Sequence, residues 1–79
     1  MREIVIRLTS VQDVQSFVAI STVRPFQVTV SDGSRQVNGK SFMEMFCLNF
    51  SRPLILRVAC SDVELDEFRQ ALARFTAGS

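Results

Sequence analysis

The chain has 79 residues, of which 47% are hydrophobic and 22% charged, and its formal net charge is +1. That length suits one domain over 1–79 with a thin core and modest stability, and the hydrophobic share excludes a disordered chain. The balanced charge gives no basic field for nucleic acid and no acidic field for cations, and no run approaches the ~20 apolar residues of a membrane span.

Residues 3–8, EIVIRL, alternate. Ile4, Ile6 and Leu8 share one face, and Glu3, Val5 and Arg7 share the other, which predicts a half-buried strand. Ser10 followed by Asp13 is a variant of the helix capping box, with Asp in the Glu/Gln place. Val11, Val14, Phe17 and Val18 follow at helical spacing, so a helix is expected from about 11 to about 21. Pro25 closes that connection, because the residue before a proline is pushed out of the helical region.

FQVTVS, residues 26–31, alternates again, with Phe26, Val28 and Val30 on one face. Asp32-Gly33 is a turn signal, and a short return strand makes 26–37 a hairpin. Asn38-Gly39 marks another turn. Ser41 and Glu44 form a Ser-x-x-Glu box, which predicts a short helix from Ser41 to about Leu48. Arg52-Pro53 punctuates, and 54–59 reads as a fourth strand with Leu54, Leu56 and Val58 on one face. Ser61 and Glu64 make a further box. Leu65, Phe68, Leu72 and Phe75 continue it as one amphipathic closing helix with Glu64, Asp66, Glu67, Arg69 and Arg74 mainly outward. Ala77-Gly78-Ser79 reads as a frayed end. Four strands with one apolar face each, and helices to cover them, imply a two-layer α+β sandwich on an antiparallel sheet.

The chain contains no histidine, which removes the commonest general base, the usual partner of a catalytic serine or cysteine, and the commonest metal ligand. Ser10, Cys47 and Cys60 are the nucleophile-type candidates, and none has a base in the sequence, so no enzyme, metal site or cofactor is expected. The two cysteines lack metal-ligand spacing and read as buried free thiols of a reducing cytosol. The opening MREIVIRL lacks the apolar core of a signal peptide, so the expected location is cytoplasmic. An RNA-binding reading of a four-stranded domain fails on charge and on the missing aromatic-basic strand pattern.

The block VNGKSFMEMFCLNFSRPLILRVACSD, within this β-α-β-β-α-β-α order, resembles HPr, the histidine-containing phosphocarrier of the bacterial sugar phosphotransferase system. The resemblance rests on Lys40-Ser41 opening a short second helix, on the apolar residues Phe42, Met43, Phe46 and Leu48, and on the strand 54–59. It is good from 38 to about 75 and weaker before 35, where one small insertion and one deletion are needed. It implies the HPr fold: an open-faced sandwich with helices on one face of the sheet.

The departures are as informative. Counting back from Phe17-Val18 puts Ser10 in the family's phosphorylated histidine place, Gln12 in its arginine place and Asp13 in its proline place. A serine ester lacks the reactivity of phosphoimidazole, Gln12 cannot neutralise incoming phosphate, and Asp13 repels it. Histidine phosphotransfer is therefore expected to be absent, with Ser10 serving as a helix N-cap. Ser41 matches the family's regulatory phosphoserine. It reads equally as a helix cap and as a phosphosite, with Lys40 favourable to a phosphate there and Glu44 unfavourable.

The density of apolar side chains from Phe42 to Phe50 exceeds what one short helix can bury. Met45 and Leu48 suit its inward face, with Phe42 partly inward. Met43 and Phe46 then point elsewhere and Cys47 lies near the edge. In the family this helix presents an apolar patch to partners, so Lys40, Phe42, Met43, Phe46 and Cys47 are the candidate partner-binding residues. The resemblance implies a regulatory protein of the family's histidine-less kind, acting in carbon catabolite repression. Its partners would be an HPr-type kinase and a transcriptional regulator or sugar-system enzyme, and its own state monomeric or weakly dimeric. The alternative is a constitutive interaction module that kept the scaffold and its patch without a role in sugar transport.

Overall fold

Period-two apolar residues drive the sheet. In the computed structural model, which describes residues 2–76, β1 (Arg2–Ile6), β2 (Val28–Ser31), β3 (Gln36–Asn38) and β4 (Leu54–Val58) form one antiparallel sheet in the order β1-β4-β2-β3. Register sets Ile4 beside Leu56, Ile6 beside Leu54, Val28 beside Val58 and Val30 beside Leu56. All seven of these side chains are buried on one face, as the alternation predicts. Onto that face pack α1 (Val11–Thr22), α2 (Phe42–Met45), α3 (Asp62–Ala71) and α4 (Ala73–Thr76). Val14 and Phe17 of α1, Met45 of α2, Leu65 and Phe68 of α3, Leu72 and Phe75 complete one core. The architecture is a two-layer open-faced α+β sandwich.

The direction of the ladder bonds follows from the hairpin. Gly39 N donates to Val28 O at 2.8 Å and Asp32 N to Arg35 O at 3.3 Å, so Val28, Val30 and Asp32 turn their backbone groups toward β3. In antiparallel pairing this alternates. Thr29 and Ser31 therefore bond β4 through Arg57 and Ile55, and Leu54, Leu56 and Val58 bond β1 through Ile6, Ile4 and Arg2.

Several boundaries differ from the sequence expectation. β1 ends at Ile6, although Leu8 beyond it is still buried. β2 begins at Val28, with Phe26 buried in the loop before it. The return strand is Gln36–Asn38, slightly later than expected. The helix at Ser41 is one turn, Phe42–Met45, and residues to Leu48 continue as turns. The closing helix breaks at Leu72, whose N–H is shared among the carbonyls of Phe68, Arg69 and Gln70. Cys47 is exposed rather than buried, while Cys60 is partly buried, and burial raises its thiol pKa. The expected fraying at Ala77–Ser79 lies outside the described residues.

Two residues hold the α2 region in place. Gly39 is buried where the chain leaves β3. A Cβ there would stand 2.8 Å from Val28 Cγ1 and 2.9 Å from Val30 Cγ2. Gly39→Ala is expected to cost about 1–3 kcal/mol, read as a lower midpoint in denaturant unfolding. Asp32, in the hairpin loop, accepts from the backbone of Asn49 (2.8 Å) on the α2–β4 connection and from Ser34 (2.8 Å) and Arg35 (3.0 Å). Those donors lower its pKa from 3.8 to about 2. The native state then binds fewer protons than the unfolded chain between those values. The stabilisation from Asp32 is complete above about pH 4 and is lost as pH falls toward 2. Asp32→Asn should flatten that part of the acid limb in a pH series of thermal midpoints.

Candidate functional site

The site is built where the start of α1 meets α2. Ser10 is the N-cap of α1, exposed, and its Oγ accepts from Asp13 N at 3.1 Å. The Asp13 carboxylate does not return to Ser10 as a full capping box would. It reaches one residue further, accepting from Thr9 N (2.9 Å) and Thr9 Oγ1 (3.0 Å). The Thr9 backbone bond is the main cause of its lowered pKa. Gln12 is exposed on the first turn. The three residues in the expected phosphotransfer places thus lie together; Ser10 and Asp13 cap and tie down the helix start, and Gln12 stands exposed beside them.

Ser41 is the N-cap of α2, with its Oγ accepting from Glu44 N at 3.3 Å. Here too the box is half formed. Glu44 Oε1 accepts from Asn38 N on the edge strand β3 at 3.0 Å, and Ser41 N donates to Asn38 O. Only Ser61 and Glu64 close both bonds. Lys40 turns away from Ser41, and its ammonium donates to the carbonyl of Arg24 just past α1. Glu44 stays beside Ser41 while the cation that would favour a phosphate is engaged elsewhere.

The apolar residues separate as the expected roll of the helix requires. Met45 is fully buried and Leu48 nearly so, whereas Met43 is 80% exposed, Phe46 44% and Phe42 36%. Cys47 is exposed beside them. The Phe42 and Phe46 rings meet edge to face, 4.8 Å between centroids at 87°, and Phe46 meets Phe50 at 6.4 Å and 78°. Phe46 and Phe50 also line a depression of about 260 Å³ with Thr9, Ser10, Val11 and Val14. The patch on α2 and the N-terminus of α1 are therefore one surface, which runs from Met43 across the phenylalanines to Ser10.

Sequence reasoning did not place Phe50 and Val11 in this surface. Phe42, Phe46 and Phe50 recur every fourth residue, a signal that was available. Val11, 56% exposed, gives none, because it joins the patch only through the α1–α2 packing. Among the described residues no cluster of three or more His, Cys, Asp or Glu side chains could hold a metal ion, and no helix is long and apolar enough to cross a membrane.

No protein-family model matches the chain, and no curated protein matches its sequence. Its fold matches a solved structure, the crystal structure of HPr-C-His from Thermoanaerobacter tengcongensis. The TM-score is 0.76 at 23% identity, over 96% of this chain and 91% of that one. The four-stranded antiparallel sheet with its helices on one face is therefore the HPr-type phosphocarrier fold, here on a chain that contains no histidine.

Proposed function

We propose that this chain is a regulatory protein-binding module on the HPr fold, related to the bacterial sugar phosphotransferase system and acting without histidine phosphotransfer. The observation that carries the reading is the continuous exposed surface of Phe42, Met43 and Phe46 beside Ser10. Large adaptable apolar side chains held outward on a rigid scaffold suit protein docking. Ser10 spends its oxygen on capping, and the carboxylate beside it, Asp13, is held by Thr9 with its pKa lowered and so is a poor base, which argues against group transfer at the residue in the histidine place. Its partners are an HPr-type kinase and a transcriptional regulator or sugar-system enzyme in the cytoplasm. Phosphorylation of Ser41 would switch the surface by adding about −2 charge next to Phe42.

A second reading is a constitutive interaction module with no switch and no role in sugar transport. The positions of Lys40 on the Arg24 carbonyl and of Glu44 beside Ser41 favour it. Intact mass after incubation with an HPr-type kinase and ATP separates the two. The switch predicts one added phosphate that Ser41→Ala abolishes. No added mass leaves Ser41 as a cap and the constitutive reading in its place. Incubation with phosphoenolpyruvate and the enzyme that phosphorylates HPr on histidine should add nothing in either case.

A further inference from the structure

The two edges of the sheet are finished differently. On β3 the outward-facing groups of Asn38 are both occupied, its N–H by the Glu44 carboxylate and its carbonyl by Ser41 N. That edge cannot accept another strand at Asn38. On β1, Arg2, Ile4 and Ile6 spend their backbone groups on β4, so those of Glu3, Val5 and Arg7 face outward. Arg7 N donates to Phe75 O at 3.0 Å, which closes one end. The backbone N–H and C=O of Glu3 and Val5 have no partner among the described residues. A groove of about 340 Å³, lined by Glu3, Ile4, Val5, Arg69 and Thr76, runs beside them.

We infer that this edge pairs with β1 of a second copy of the chain, antiparallel about a two-fold axis through Val5. The sequence of the strand selects that partner. Glu3, Val5 and Arg7 are all exposed and, by alternation, project to the open face of the sheet. Reversed upon itself around Val5, the pattern sets valine against valine, and Glu3 of each copy against Arg7 of the other. Opposite charges directly across a strand pair stabilise it and like charges oppose it. Glu3 spends Oε2 on Arg57 Nε at 3.0 Å, which leaves Oε1 for the arginine of the other copy. The Val5 pair exchanges both of its backbone bonds, and at each end Glu3 meets the Arg7 opposite through side chains alone. Arg7 N stays with Phe75. The ladder is short, so the dimer is weak and reversible. It lies on the edge away from β3, and the two mixed-charge strands join two sheets into one.

The test is sedimentation of the full chain over a concentration series, with amide hydrogen exchange read at Val5. The expected result is a concentration-dependent dimer in which that amide becomes protected. Val5→Pro removes an outward N–H, a place where an edge strand tolerates proline, and should leave a folded monomer. Arg7→Glu and Glu3→Lys should each weaken self-association about tenfold, since each sets like charges across both symmetric pairs. Mixing those two variants restores complementary pairs and should restore association. A folded protein that stays monomeric throughout the series overturns the proposal. So does a dimer that Val5→Pro and both charge variants leave unchanged, which would place the contact on the apolar surface instead.

Discussion

Met45→Ala should destabilise the fold by about 2–5 kcal/mol, while Met43→Ala should change stability by less than about 0.5 kcal/mol. The two residues are neighbours but one on a single helical turn. Met45 is fully buried between α2 and the sheet, and Met43 is 80% exposed. Truncating Met45 removes buried methylenes and leaves a cavity that a turn of four residues, tied at Gly39 and Asp32, cannot easily collapse. Thermal unfolding of the pair measures the contrast, because each kcal/mol moves the midpoint by about 4–8 °C in a domain of this size. Equal losses in both variants would mean that α2 is rolled differently and that the outward patch is core.

Phe46→Ala is expected to do the opposite. On the proposed regulatory reading it should weaken binding to an HPr-type kinase by more than about 30-fold, the level of a central aromatic anchor, and leave folding within about 1 kcal/mol. Phe46 is half exposed, stacks edge to face on both Phe42 and Phe50, and walls the depression that reaches Ser10. It touches both Phe42 and Phe50 and so links the α2 patch to the depression at the start of α1, which Phe50 also walls. Calorimetric titration and thermal unfolding of the same variant separate lost contact from lost fold. Unchanged affinity would remove Phe46 from the docking surface.

The strands were legible because period-two alternation is local. Ile4, Ile6, Val28, Val30, Leu54, Leu56 and Val58 carry their burial in their spacing. The inward and outward sides of α2 were legible for a related reason, since one turn has room for few inward residues. Its length was not. What holds the chain beyond Met45 is the Asp32 carboxylate bonded to Asn49 N, a tie across 17 residues that no local pattern shows. The capping boxes make the same point. Ser41-x-x-Glu44 and Ser61-x-x-Glu64 are identical as motifs, yet only the second closes. Next to Glu44 lies the unpaired Asn38 N–H of an edge strand, and that donor takes the carboxylate. The break at Leu72 was hidden as well, because Leu65, Phe68, Leu72 and Phe75 keep one apolar face through it and all four stay buried.

The central claim is that this fold acts by presenting the surface around Phe42, Met43 and Phe46 to another protein. Amide chemical-shift mapping of the labelled chain titrated with an HPr-type kinase tests it most directly. The account predicts shifts concentrated at residues 41–50 and at the start of α1 near Ser10 and Val11, with the open face of the sheet unmoved. Shifts confined to the open face, or no shifts at concentrations where the kinase binds an HPr with its histidine, would contradict it.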